Sequence, residues 1–192
     1  MSVRRDAAIR VVAGLVVCVG FAATAMAVDE PGDETTRAEN ARVSWTEVQW
    51  PFLTDEWGGG RAFTCKASDC GGELSLYLRA KVGFCNCATG VTEDEDLDRV
   101  GDLTLLSNRF VPLAAGHQVA VGGLSGRSRP YDISLPLARR QTAIAIALHV
   151  NCDAVVATVV TDRDHLAAAE QSALAFLGGA TVQQWARTAL GS

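Results

Sequence analysis

Two long apolar runs in the C-terminal half of the sequence restrict its possible folds more than any other feature. Residues 143–150 and 154–160 consist mostly of Ala, Ile, Leu and Val. Asn151-Cys152-Asp153 separates them, and Asn and Asp both favour turns. The pair therefore predicts a β-hairpin. Apolar runs without regular polar alternation are typical of central strands that are covered on both faces, so we expect other elements on both sides of this hairpin.

A third strand is predicted at residues 73–82. Leu74, Leu76 and Leu78 alternate there with more polar residues, so one face of the strand is apolar. Further strands are expected at residues 42–50, 61–65 and 103–106, and as a hairpin of residues 117–124 and 130–135 that turns at Ser125-Gly126-Arg127.

Helices are predicted in two places. Thr92 and Glu95 have the spacing of a capping box, which predicts a short helix to about Val100. Apolar residues at helical spacing predict two more helices after residue 164. Residues 41–192 are therefore expected to form a single α+β domain, mainly an antiparallel sheet with helices packed on it and two C-terminal helices.

The first 27 residues have the pattern of a secretory signal peptide. Three arginines precede an apolar stretch, which closes with Ala25-Met26-Ala27, a small-x-small site for cleavage. The stretch is short for a membrane span. An uncleaved anchor, a lipoprotein and twin-arginine export are the alternatives. We expect a signal peptide at residues 1–27, a disordered leader at residues 28–40, and a periplasmic or secreted protein.

Composition narrows the class of partner. The net charge of −5 disfavours nucleic acid, whose binders are usually basic. Once the signal is cleaved, no membrane span is expected. No cofactor is expected either. The partner predicted from the sequence is an unidentified protein or small molecule of the cell envelope.

Cysteines are the most informative single residues. Of the six, Cys18 leaves with the signal, and in an oxidising compartment the others are expected to pair. Cys65 and Cys70 flank a predicted turn and can be bridged, while Cys152 can pair with Cys85 or Cys87. An odd number remains, so one thiol is left over. The disulfide candidates are Cys65, Cys70, Cys85, Cys87 and Cys152.

The segment Cys85-Asn86-Cys87 has alternative interpretations. One cysteine can belong to a structural bridge, or the two can form a strained and therefore labile redox pair. Zinc binding with Cys65 and Cys70 is the third alternative, but the spacing differs from the usual two-residue knuckles. We therefore expect no metal site.

The sequence contains no recognisable catalytic constellation. The Gly-x-Ser-x-Gly pattern is absent, and the histidines at 117, 149 and 165 suggest no nucleophile–base pair. No catalytic residue is therefore expected. Trp50 and Trp57 are a candidate aromatic ligand ledge, with core packing as the alternative.

Two charged clusters are expected to face solvent. Acidic residues crowd positions 93–98, and arginines stand at 127, 129, 139 and 140. Without the ligand spacing of a calcium loop, the acidic run is interpreted as a solvated helix face.

The order of the predicted elements resembles the PsbP/Mog1-like fold over roughly residues 42–190: several antiparallel strands, a twin hairpin and a closing Ala-rich helix. The segment Lys81-Val82-Gly83-Phe84-Cys85-Asn86-Cys87, with the acidic helix after it, resembles small exported alphaproteobacterial proteins of unknown function. The second resemblance implies a periplasmic address and no particular activity.

Together these features predict an exported soluble protein that is a non-enzymatic binding or accessory module stabilised by disulfides. The alternative is a thiol-redox or thiol-sensing protein that uses Cys85 and Cys87.

Overall fold

One antiparallel sheet of eight strands organises the part of the chain that the structure, a computed structural model, describes: residues 44–84, 86–134 and 140–191. The strands are β1 (Trp45–Val48), β2 (Arg61–Cys65), β3 (Leu74–Lys81), β4 (Phe110–Pro112), β5 (His117–Val121), β6 (Leu124–Ser134), β7 (Arg140–Val150) and β8 (Asp153–Thr161). The helices are α1 (Ala67–Cys70), α2 (Asp94–Val100), α3 (Leu103–Leu106), α4 (Leu166–Leu177) and α5 (Ala180–Leu190). A short 3₁₀ turn, Arg163–His165, precedes α4.

The predicted apolar hairpin lies at the centre of the sheet. The strand order is β1-β2-β3-β8-β7-β6-β4, and β5 also pairs with β6. The hairpin of β7 and β8 is in register from Thr142 opposite Thr161 to Val150 opposite Asp153. Its central position explains its composition, because both faces are buried.

Each face of the sheet has its own apolar core. On the first, Leu76, Ile146 and Val159 pack in one buried cluster with residues of α4 and α5. On the second, residues of α2 and α3 such as Leu97 and Leu103 pack over the small side chains of the central hairpin. We call the first face, which α4 and α5 cover, the C-terminal face, and the second, which α2 and α3 cover, the α2 face. The α+β class with two C-terminal helices, predicted from the sequence, is confirmed.

The strand predicted at residues 103–106 is wrong, because these residues form the helical turn α3. The amide of Leu105 donates to the carbonyl of Asp102, and the amide of Ser107 donates to that of Leu103. Leu103 is buried in the second core. The turn places Leu103 in the core and leaves Leu105 and Leu106 half-buried.

The second hairpin turns three residues earlier than predicted. Gly122 and Gly123 form a two-residue loop between β5 and β6, with φ of +58° and +85°. Two consecutive positive φ angles suit glycine and match the twist of a hairpin. Ser125-Gly126-Arg127 therefore lies within β6, where Ser125 is paired with His149.

The predicted capping box does not form. α2 begins at Asp94 after Glu93, and no side chain caps its first turn. The predicted signal peptide, the predicted leader and Cys85 lie outside the described residues. Within those residues, no helix has the length and apolar character needed to cross a membrane.

Candidate functional site

A cleft of about 510 Å³ opens on the α2 face, at the end of the sheet where β3 begins and β8 ends. Its volume is in the range of small-molecule sites. The lining residues are Pro51, Phe52, Glu73, Ser75, Tyr77, Leu105, Leu106, Gln141, Val160, Thr161 and Asp162.

An aromatic corner forms one wall of the cleft. The rings of Phe52 and Tyr77 lie 4.8 Å apart at 71°, and Trp50 packs edge-on against both. Trp50 reaches this position because Gly60 has no side chain: a Cβ there would lie 2.5 Å from the indole ring. The loop between β1 and β2 is thus fixed against β3, with two rings at the cleft.

The opposite wall belongs to α3. Leu105 and Leu106 are half-buried and present apolar surface to the cleft. Between the walls lie Ser75 and Val160, which are register partners on β3 and β8. The cleft therefore has apolar sides and a floor that carries hydroxyl groups.

Two carboxylates are the only charged groups among the described lining residues. Glu73 precedes β3 and Asp162 follows β8, and both are exposed. Because β3 and β8 are antiparallel neighbours, the start of one and the end of the other meet at the same end of the sheet. The cleft has an acidic rim for this reason.

A single buried arginine connects the two walls. Arg79 is 2% exposed. Its Nε and Nη2 donate to the carboxylate of Asp102, at the start of α3, over 2.9 and 2.5 Å. Its Nη1 donates to both oxygens of Asp55 over 2.7 and 2.8 Å. Asp55 lies in the loop between β1 and β2 that carries Trp50 and Phe52, which we call the aromatic loop. One guanidinium therefore fixes both the loop and the helix that border the cleft.

The surroundings of Arg79 favour the charged forms of its guanidinium and of the Asp55 carboxylate. Burial opposes its charge, but the hydrogen bonds to Asp102 and Asp55 outweigh that effect and raise the pKa of Arg79. The hydrogen bond from Arg79, assisted by the amide of Trp57, lowers the pKa of Asp55. The loop is therefore held by a carboxylate that stays ionised at neutral pH.

Lys81 completes the buried charge cluster. Its ammonium lies 2.8 Å from Asp102 and donates to the carbonyl of Val100 over 2.8 Å. The rings of Trp57 and Phe84 lie 5.7 and 5.1 Å from the ammonium nitrogen. Asp102 thus balances two buried cations, and Trp57 belongs to this cluster.

The candidate ledge residues lie in two different aromatic groups. Trp50 packs with Phe52 and Tyr77, whereas Trp57 packs edge-on against Phe84 at 4.7 Å. Neither indole is among the residues that line the cleft. The rings at the cleft are those of Phe52 and Tyr77, neither of which is one of the two predicted ledge residues.

Two disulfides join four of the cysteine candidates. Cys65 at the end of β2 is bonded to Cys70 in α1, and Cys87 is bonded to Cys152 in the turn between β7 and β8. Cys87 therefore already has a partner other than Cys85, which lies outside the described residues. Within the described chain, no group of three or more His, Cys, Asp or Glu side chains is arranged to hold a metal ion.

The acidic helix is bound to the sheet through its carboxylates. Asp94 accepts from Arg127 Nε over 2.5 Å and from the amide of Gly116 over 3.1 Å. Asp98 accepts from Arg129 Nη1 and from the Tyr131 hydroxyl. The expectation that both charged clusters are solvated is wrong for Asp94, Arg127 and Arg129, because strand β6 places the arginines beneath α2, whereas Asp98 is exposed as expected.

The histidines make separate contacts. His149 Nδ1 accepts from the amide of Val91 over 3.2 Å, and His117 Nε2 lies 3.3 Å from Glu170. Neither of these two histidines lines the cleft.

Comparison with known proteins gives little further information. No protein-family model matches the chain, and none of the curated proteins matches it. Among solved structures, the chain matches one described as LpqN, involved in cell envelope biogenesis of Mycobacterium tuberculosis. The identity is 13% and the TM-score 0.37, over 73% of this chain and 91% of that chain. At this level the likeness carries no argument about fold or function.

Proposed function

We propose that the chain is an exported, disulfide-stabilised module that binds a small molecule in the cleft between the aromatic corner and α3. The observation that carries the proposal is the arrangement of Arg79, which holds one wall through the buried carboxylate of Asp102 and the other through the exposed carboxylate of Asp55. Walls fixed before the ligand arrives lower the entropic cost of binding.

The composition of the cleft supports binding. Two aromatic rings and two leucines supply apolar contact, while Ser75 and Gln141 supply hydrogen-bonding groups. Small-molecule sites combine apolar surface with a few polar groups that orient the ligand.

Export is part of the proposal, and the two disulfides support it. Disulfides persist in oxidising compartments and are rare in the cytosol. The intact mass of the protein isolated from its host, with and without reductant and alkylation, tests this part. We expect the mass to lack residues 1–27 and one thiol to be alkylated before reduction. A full-length, fully reduced protein would contradict export.

Binding is tested with a panel of small amines, sugars and carboxylic acids by ligand-observed NMR. The variant Ser75→Phe places a ring in the cleft and is expected to abolish the binding of any hit. Ser125→Phe is the matched control, because Ser125 is an exposed strand serine that does not line the cleft. Equal binding by both variants would place the ligand elsewhere, and the absence of any hit would count against the proposal.

A further inference from the structure

We infer that the ligand of this cleft is a small organic cation, a methylated ammonium compound of about the size of choline. The inference rests on the proposed function and adds to it the chemical class of the ligand. Three features of the cleft support it: its charge, its aromatic corner and its apolar wall.

The charge of the cleft is entirely acidic among its described lining residues. Neither Glu73 nor Asp162 receives a side-chain hydrogen bond or ion pair from the described part of the chain. By contrast, Asp55, Asp94 and Asp102 are all paired with arginine. These three carboxylates are thus occupied, whereas Glu73 and Asp162 are available to a cation.

The aromatic corner suits a cationic head group. Phe52 and Tyr77 both line the cleft and meet at 71°, so a group bound beside them can contact both rings. Aromatic rings attract cations through their quadrupole, and such rings are the usual means of recognising quaternary ammonium groups.

The apolar wall favours methylated ammonium over a primary amine. Leu105 and Leu106 offer no hydrogen-bond acceptor from their side chains, so an NH₃⁺ group would lose water against this wall without replacement. Methyl groups bury favourably on such a surface. Ser75 and Gln141 can receive or donate a hydrogen bond at the other end of the ligand.

A neutral sugar is the main competitor, because sugars also bind to aromatic rings and polar side chains. The two classes differ in their dependence on charge. Calorimetric titration of the oxidised, mature protein with choline, 3,3-dimethyl-1-butanol and glucose separates them. Dimethylbutanol is the neutral analogue of choline, with carbon in place of nitrogen.

We expect choline to bind about tenfold more tightly than dimethylbutanol, and glucose to bind more weakly than choline. The double variant Glu73→Gln, Asp162→Asn should remove most of the preference for choline over dimethylbutanol. Glu95→Gln is the control, because Glu95 is an exposed acid on α2 that does not line the cleft. Tyr77→Leu should weaken choline more than dimethylbutanol.

The outcomes separate the two proposals. Suppose that choline and dimethylbutanol bind equally, or that glucose binds more tightly, and that Ser75→Phe blocks this binding. The cationic ligand would then be wrong, but the cleft would still be the binding site. A preference for choline that survives the double variant would also overturn the inference. If none of the three probes binds, the inference of a cationic ligand is wrong. If no compound of the wider panel binds either, the proposed binding site is wrong as well.

Discussion

Asp102 is the residue on which the buried charges of the α2 face depend. Its carboxylate contacts both Arg79 and Lys81, and all three side chains are at most 6% exposed. Burying two cations is costly unless an anion is close to them. Asp102 therefore stabilises the start of α3 and the centre of the cluster together.

We predict that Asp102→Asn lowers the free energy of unfolding by about 3 kcal/mol or more, because it leaves buried cations without compensation. Asp55→Asn should cost at most about 1 kcal/mol, since Asp55 is 40% exposed and water can replace it. Chemical denaturation of both variants gives the comparison. Equal losses would show that Asp102 is not the main counter-charge.

The sequence could not reveal this cluster. Alternation along β3 does place Tyr77, Arg79 and Lys81 on one face, and that face could be expected to need cover. However, Asp55 and Asp102 lie 24 and 23 residues from Arg79 along the chain. Contacts at such separations follow from how the loop and α3 pack, which local patterns do not specify.

Among the elements, the aromatic loop should depend on Asp55 for its position, while the stability of the protein should change little. We predict that Asp55→Asn weakens binding of choline at the cleft several-fold while the protein stays folded. The expected cause is that the loop carrying Phe52 loses its link to Arg79. Glu47→Gln is the matched control, because Glu47 is also an exposed carboxylate paired with an arginine, Arg61. Titration of both variants tests this, and equal affinities would contradict it.

The attachment of helix α2 to the sheet should make the stability of the protein depend on pH through Asp94. Burial opposes ionisation of this carboxyl, but the hydrogen bonds from Arg127 and the amide of Gly116, with the nearby Arg129, lower its pKa. A carboxyl whose pKa is lowered on folding stabilises the folded state when the pH is above its ordinary pKa, about 3.9 for aspartate. That stabilisation is lost as the pH falls through the lowered pKa.

We therefore predict that wild type is more stable than Asp94→Asn at pH 7 and that the difference shrinks below about pH 4. Denaturation curves at pH 7, 5 and 3 measure it. Asp96→Asn serves as control, because Asp96 pairs with the exposed Arg99 on its own helix rather than with the sheet. A difference that persists at pH 3 would mean that the ionised carboxylate is not what binds α2 to the sheet.

Element types were predictable where the local pattern had one interpretation. The alternating leucines of β3 and the unbroken runs of β7 and β8 specify strands because each pattern fits one kind of burial. The four residues of α3 have no such period, so their helical turn depends on Asp102 and on the burial of Leu103. The hairpin turn was misplaced because Gly126, in the predicted turn, and Gly122-Gly123, in the actual one, give the same local signal.

At the scale of the whole molecule, the two disulfides should contribute unequally to stability. Cys87 and Cys152 are 65 residues apart, whereas Cys65 and Cys70 are 5 apart. The longer loop loses more entropy in the unfolded chain, which gives about 4 kcal/mol against about 2 kcal/mol in the chain-entropy model.

We predict that Cys152→Ser lowers the melting temperature more than Cys65→Ser does. Calorimetry of the two variants, each paired with an alkylation count of free thiols, checks both the size and the pairing. Cys65→Ser should release Cys70 alone. The reverse order of melting temperatures, or a Cys70 that remains oxidised, would contradict the account.

Amide NMR of the oxidised protein titrated with choline shows whether the cleft is a preformed binding site. We predict saturable shifts concentrated at Phe52, Ser75, Tyr77, Leu105 and Leu106, on the loop, strand and helix that line the cleft. Shifts that never saturate, or that centre on another surface of the molecule, would contradict it.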